Sequence, residues 1–204
     1  MALTKVQTGG LASDAVDNTI LDLADNFAFS GTVTGAGEPA GLKLLNTVTL
    51  NNNNEVRYTN SLITSTYDWY RIFFNFTPVS DAHLLMRFFR GSDNTLITGN
   101  DYGFENRIGG DTNGAGFVSI TGVSVDAADG YGCQGNITVG NVNTANMSGA
   151  SYNAAFRNTS NLHGTNSGRG GWDAAAPNTI SGIQLYLGAG NFQDGTFYLY
   201  GVTK

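Results

Sequence analysis

Residues 69–90 read WYRIFFNFTPVSDAHLLMRFFR, and this stretch decides the fold because its apolar residues alternate. The side chains expected to share one face are Ile72, Phe74 and Phe76 in the first half and Leu84, Met86 and Phe88 in the second. A repeat of two residues places such side chains on one side of a β-strand. Pro78 ends the first half, since proline has no N–H to donate to a neighbouring strand. The stretch therefore predicts two strands, over Tyr67–Thr77 and Ala82–Arg90.

Short strands separated by turn residues continue on both sides of this stretch. Two of them, Ile180–Leu187 and Thr196–Val202, form an antiparallel pair near the C-terminus, which is typical of a jelly roll or sandwich. The other strands are predicted over Leu42–Leu50, Glu55–Tyr58, Thr95–Thr98, Asp101–Asn106, Phe117–Val125, Asn136–Val142 and, as a strand pair, Met147–Arg157. Gly109–Gly116 and Asn158–Pro177 are predicted to be polar loops. The fold expected for residues 41–204 is an all-β, jelly-roll or lectin-like antiparallel β-sandwich.

The first 40 residues have a different pattern and are predicted to form a short N-terminal arm. Between Leu11 and Asp25 the apolar spacing fits a helix face, but Leu21-Asp22-Leu23 also alternates, and we favour the extended alternative. The glycine-rich residues 35–41 mark the boundary with the sandwich. The apolar residues expected to dock this arm are Ile20, Leu23, Phe27 and Phe29.

Composition narrows the class of protein. Charged residues make up 13% of the 204 residues and the net charge is −6, with the ten Lys and Arg residues scattered, so we expect no nucleic-acid partner. A single cysteine, Cys133, fits synthesis in a reducing cytoplasm. The N-terminus has no apolar signal region, and no stretch approaches the roughly 20 apolar residues of a membrane span, so no membrane insertion is expected. A protein that is made in the cytoplasm without an export signal, yet is built like an extracellular β-module, is an unusual combination. A virus component explains it, because such a protein is made inside the host and released by lysis.

Side chains suited to catalysis or metal binding are few. His83 and His163 lack a supporting motif such as G-x-S-x-G, and Cys133 has no CxxC partner. The candidate calcium ligands are Asp93, Asn94 and Asp101 in one region and Asp126 and Asp129 in another, but neither matches a D-x-[DN]-x-[DN]-G loop. We therefore expect no enzyme, and we assign no catalytic, cofactor-binding or metal-binding residue.

Aromatic and amide side chains in loops suggest contacts with a ligand or partner. Aromatic rings stack on sugars, and Asn or Asp side chains bind sugar hydroxyls. Trp172, in the polar loop Asn158–Pro177, is the aromatic residue expected to be most exposed. The complete set of predicted contact residues is Trp172, Tyr131, Tyr102 and Asn113.

Two stretches together resemble phage tail-fibre and receptor-binding-like domains. Residues 67–88 resemble the pattern Y-x-x-Y … P-x-x-D … L-x-M/L-R-F, with Gly91-Ser92-Asp93-Asn94-Thr95 in place of the GGST-type turn that often follows. The ending GTFYLYGV, residues 195–202, is similar to the SGT-x-x-LYGI ending of the same domains. Residues 21–35 are similar to segments of virion structural proteins from marine phages. The resemblance covers residues 55–202, with a weaker middle, and implies a jelly roll on the particle without transferring any binding residue.

The expected function is that of a structural protein on the exterior of a bacteriophage virion, of the tail-fibre or receptor-binding kind, in contact with host glycans. Capsid decoration is the alternative within this class. A glycan-degrading depolymerase is the alternative from another class, and it requires an acidic pair facing a cleft. A free bacterial carbohydrate-binding module is a third possibility. The expected partners are other tail or capsid proteins and further copies of the chain, as a trimer.

The arm gives the first testable prediction. We expect residues 1–26 to be disordered in the isolated protein and to become ordered only against a partner. Amide hydrogen exchange of the free protein measures this, and strong protection of residues 1–26 would contradict the prediction.

Overall fold

The chain is described by a computed structural model. The residues that it describes are 41–59, 61–91, 93–130, 132–142, 148–172 and 179–202. Ile20, Leu23, Phe27 and Phe29 of the predicted arm lie outside the described residues, and so does Tyr131.

The described residues form twelve β-strands in two antiparallel sheets. The strands are β1 Leu42–Asn53, β2 Glu55–Tyr58, β3 Trp69–Pro78, β4 Leu84–Arg90, β5 Tyr102–Asn106, β6 Thr112–Ala115, β7 Val118–Ser119, β8 Cys133–Gly140, β9 Ser148–Arg157, β10 His163–Trp172, β11 Ile180–Leu187 and β12 Phe192–Val202. The larger sheet has the order β1-β12-β3-β8-β9-β10-β5-β6, and the smaller has the order β2-β11-β4-β7.

The connectivity is that of a jelly roll with two inserted hairpins. The half-sheet β1-β12-β3-β8 and the sheet β2-β11-β4-β7 together have the strand order of an eight-stranded jelly roll. The hairpin β5–β6 is inserted before β7, and the hairpin β9–β10 is inserted before β11. The inserted strands continue the larger sheet beyond β8 in the order β9-β10-β5-β6. The prediction of an all-β, antiparallel β-sandwich is confirmed.

The core follows from the alternation that the sequence displays. Every second side chain of β3 is buried, from Tyr70 to Phe76, while those between face outward. Phe74 stacks on Phe197 of β12 with ring centroids 5.6 Å apart, and Phe76 meets Phe192 edge to face at 5.1 Å. Burying an aromatic side chain stabilises a fold by about 1.5–3 kcal/mol. The repeat of two thus gives the large sheet one apolar face and one exposed face.

Several strand predictions need correction. The expected loop Asn158–Pro177 contains β10, and the expected loop Gly109–Gly116 contains β6. Met147–Arg157 is one strand, β9, and not a pair. Thr95–Thr98 contributes only a bridge from Leu96 to Phe89, and Phe117–Val125 holds the two-residue β7 and isolated bridges at Val125.

The inward positions of β10 explain why its sequence looks like a loop. They carry glycine and asparagine, because large side chains of neighbouring strands occupy the space beneath them. A Cβ at Gly168 would lie 2.7 Å from the ring of Tyr152, and one at Gly164 would lie 3.0 Å from the ring of Phe156. The apolar signal of this part of the sheet is therefore carried by β9 and not by β10.

A buried polar cluster joins the inserted hairpins to the jelly roll. Asn166 of β10 is 2% exposed. Its amide nitrogen donates to the Ile120 carbonyl at 2.8 Å and to Asn106 Oδ1 at 2.9 Å, while its own Oδ1 accepts from the Ile108 N–H at 3.0 Å. The Tyr152 hydroxyl also bonds Asn106 Oδ1, at 2.8 Å. These bonds satisfy buried backbone groups that would otherwise be costly.

Asn166→Ala should therefore lower the free energy of unfolding by about 2–4 kcal/mol, because it leaves buried donors and acceptors without partners. Urea unfolding monitored by circular dichroism measures the loss. The control is Asn153→Ala, whose side chain is exposed on the opposite face of the neighbouring strand and should change stability by less than about 0.5 kcal/mol. Equal losses for the two variants would contradict the role of the cluster.

Candidate functional site

The exposed side of the larger sheet carries an organised set of side chains, here called the outer face. On β3, β8, β9 and β10 it consists of the residues that alternate with the buried ones. Antiparallel pairing lines these residues up in rows across the sheet. One such row reads Tyr198, Phe73, Asn136, Asn153 and Ser167. Because the rows are fixed by backbone hydrogen bonds, the outer face is a rigid surface.

The middle of the outer face forms a shallow groove of about 530 Å³, here called the central groove. Phe73 and Tyr198 line one side of it, and Arg107, which follows β5, lines the other. The floor carries Gln134, Asn136 and Asn153. Within the described part of the chain, these three amide side chains make no hydrogen bond to protein. They are therefore available to a bound molecule.

A second depression, of about 670 Å³, lies further along the same face and is here called the glycine trough. Four glycines on adjacent strands share one row beside Trp69, namely Gly140, Gly149, Gly171 and Gly103. Three atoms of the Trp69 ring lie 2.6, 2.8 and 3.0 Å from the position of a Cβ on Gly140. These near-equal distances mean that the face of the indole, and not its edge, covers Gly140. Trp69 nevertheless remains 51% exposed.

Charged and polar groups stand at the rim of the glycine trough. Glu105 and Arg169 form an exposed, hydrogen-bonded ion pair, and Asp111 and Asn113 line the same depression. The hydrogen bond from Arg169 holds the pKa of Glu105 below its usual range. Glu105 is therefore a carboxylate at neutral pH, and it offers acceptor atoms next to the donors of Arg169.

The structure corrects two of the predicted contact residues. Trp172 is 6% exposed, because it lies at the end of β10 with its side chain in the core and not in a loop. Tyr102 is fully buried, where its hydroxyl accepts from the Phe88 N–H at 2.9 Å and donates to the Ile97 carbonyl at 3.1 Å. Neither side chain can reach a ligand at the surface. Asn113 is exposed on β6 and lines the glycine trough, whereas Tyr131 lies outside the described residues.

The exposed tryptophan of this site is Trp69, which the sequence analysis did not select. The alternation of β3 contained the signal, since Trp69 shares its face with Arg71, Phe73 and Asn75 and not with the apolar set Tyr70, Ile72 and Phe74. Trp172, by contrast, follows a run of glycines that resembles a flexible loop. Local composition therefore predicted the exposure of Trp172 incorrectly. The alternation along β3 would have predicted the exposure of Trp69 correctly.

Cys133, His83 and His163, the side chains considered for catalysis, lie away from both depressions. Cys133 is buried on the inner face of β8, and desolvation raises the pKa of its thiol. Partial burial lowers the pKa of His83, so its imidazole is neutral at pH 7. His163 begins β10 and lies opposite Arg157 in the sheet. None of the three faces the central groove or the glycine trough.

The candidate calcium ligands also have structural partners. Asp93 accepts from the Thr95 N–H at 3.1 Å and pairs with Arg90 at 3.0 Å. Asp126 accepts from the Ala128 N–H at 2.8 Å and lies 3.6 Å from Arg157. Among the described residues there is no group of three or more His, Cys, Asp or Glu that could hold a metal ion. Turn hydrogen bonds and nearby arginines therefore account for the positions of Asp93 and Asp126.

The comparisons provide no relative. The chain matches no protein-family model, no curated protein and no solved structure. No helix within the described ranges is long and apolar enough to cross a membrane.

Proposed function

We propose that this chain is a structural protein on the exterior of a bacteriophage virion, of the tail-fibre or receptor-binding kind, and that its outer face binds host-surface glycans without cleaving them. The observation that carries the glycan part is the set of amides Gln134, Asn136 and Asn153, which make no hydrogen bond within the described residues and lie beside half-buried aromatic side chains. Jelly rolls occur in viral capsids and in lectins, which supports the proposed class.

The chemistry of the outer face suits sugars. A pyranose presents C–H groups on its ring faces and hydroxyl groups around its perimeter. Aromatic rings pack against the C–H groups. Amides, which both donate and accept hydrogen bonds, bind the hydroxyl groups. Each neutral hydrogen bond contributes only about 0.5–1.5 kcal/mol, so a glycan site needs several such groups on a preformed surface. The rows of the sheet provide that surface.

Capsid decoration remains the alternative within the same class, and one feature favours it. Leu42 and Leu44 are exposed on β1, which is the edge strand of the larger sheet. Exposed apolar side chains on a sheet edge suit attachment to another protein. In that alternative, β1 fastens the protein to the capsid. We retain a homotrimer as the proposed assembly.

The depolymerase alternative is also supported by one observation. Glu105 and Asp111 line the same depression, so two carboxylates share it. Glycoside hydrolysis also needs a carboxylic acid that stays protonated, and Arg169 keeps Glu105 ionised. Glu105 is therefore unsuited to be the proton donor of such a pair.

Binding to a panel of neutral and acidic bacterial O-antigens and capsular polysaccharides tests the glycan part. The wild-type protein should bind at least one of them, and Trp69→Ala should weaken that binding about tenfold or more. The control is Leu162→Ala, which removes an exposed apolar side chain outside both depressions. No binding to any member of the panel would refute the glycan function, and a shortened polysaccharide chain after incubation would establish the depolymerase instead.

Gold-labelled antibodies on intact phage particles test the location. Label at the tail is the expected result. Label distributed over the head would establish decoration in place of adsorption, and particles without label would refute a virion component.

A further inference from the structure

The row of glycines in the glycine trough needs an explanation, because glycine weakens strands. A glycine inside a strand costs about 0.5–1 kcal/mol relative to alanine. Such residues usually mark a bulge, or a place where a ligand or another backbone comes close. Packing explains two of the four. A Cβ on Gly140 would lie 2.6 Å from the Trp69 ring, and a Cβ on Gly171 would lie 2.3 Å from the Ser148 carbonyl oxygen.

Gly149 is different, because nothing within the described residues requires a glycine there. A Cβ at this position would meet only an ordinary van der Waals contact, and the nearest described atom is the Gly170 carbonyl oxygen at 3.9 Å. Its backbone φ is not in the left-handed region. A Cβ, as in alanine, would fit both the backbone and the described surroundings. Gly149 therefore leaves an open patch of bare backbone on the floor of the trough.

The surroundings of this patch indicate what lies on it. On one side, the Trp69 indole covers Gly140, the direct neighbour of Gly149. On the other side are Asn113 and Arg169, with the carboxylates Glu105 and Asp111. The patch thus has glycine backbone and the Trp69 ring at its floor and hydrogen-bonding groups at its rim. A flat ring with an apolar face and a polar perimeter matches this arrangement.

The charge of the rim distinguishes neutral from acidic rings. Glu105 and Asp111 together outnumber the single guanidinium of Arg169. A carboxylate on the bound ring would meet like charges, which is unfavourable. Hydroxyl groups, by contrast, can donate to both carboxylates and accept from Arg169.

We propose that the glycine trough is a subsite for a neutral pyranose unit that lies flat on the backbone at Gly149, between Trp69 and the rim of Asn113, Glu105, Asp111 and Arg169. The proposal rests on the proposed glycan-binding function and adds the position and class of the sugar. Gly149 is then a specificity-determining residue, since any side chain there occupies the place of the ring.

The test compares Gly149→Ala and Gly149→Val with Gly188→Ala. Gly188 lies between β11 and β12, and a Cβ there would meet ordinary contacts, 3.5 Å from Leu85 at the nearest. The probe is the polysaccharide of the panel that the wild-type protein binds most tightly. Gly149→Val should weaken binding about tenfold, as overpacking of an occupied site does, and Gly149→Ala should weaken it less. Gly188→Ala should bind like the wild type, and both Gly149 variants should keep or raise the melting temperature.

The outcomes separate the subsite from the proposed function. A wild-type protein that binds no member of the panel refutes the function and the subsite together. Wild-type binding that Trp69→Ala weakens and Gly149→Val does not would place the sugar on the indole and refute the subsite alone. If the best polysaccharide is acidic, chemical reduction of its carboxyl groups should preserve binding, and loss of binding would refute the assignment of a neutral ring.

Discussion

Packing of the inner face of the eight-stranded sheet is the interaction on which the rest of the structure depends. Aromatic side chains of β3 and β12, such as Phe74 and Phe197, form the centre of that packing. Beyond β8 the sheet continues without a long partner strand from the smaller sheet, and the polar cluster around Asn166 completes the burial there. Because every second residue of these strands is buried, the residues between them form the exposed surface. The outer face is thus a direct product of how the core is built.

Strands with large inward side chains could be predicted from the sequence, and strands with small ones could not. The alternation in β3, β4 and β11 gave their positions to within a few residues. In β10 the inward positions before Trp172 are Gly164, Asn166, Gly168 and Gly170, so no apolar repeat is visible, and the strand was expected to be a loop. The space that these residues leave is filled by Tyr152 and Phe156, which are near in the fold but not in the local sequence. A short stretch of sequence therefore does not reveal long-range packing of this kind.

The candidate site was only partly predictable for the same reason. Asn113 was identified and lies at the rim of the glycine trough, but Trp172 and Tyr102 were expected at the surface and are core residues. The row of glycines comes from four strands that are distant in sequence, so only the sheet register reveals it. A site on strands also differs physically from a site on loops. Its side chains are held in place before a ligand arrives, so less conformational entropy is lost on binding.

The separation of the two faces of the larger sheet has an evolutionary consequence. Substitutions at exposed positions away from special contacts usually change stability by no more than about 0.5 kcal/mol, whereas core substitutions cost several times as much. Positions such as Asn136, Asn153 and Ser151 can therefore vary with little penalty to folding. The inserted hairpins β5–β6 and β9–β10 widen this variable surface without altering the strand order of the jelly roll. Such a scaffold can change the chemistry of one face many times while keeping the same core.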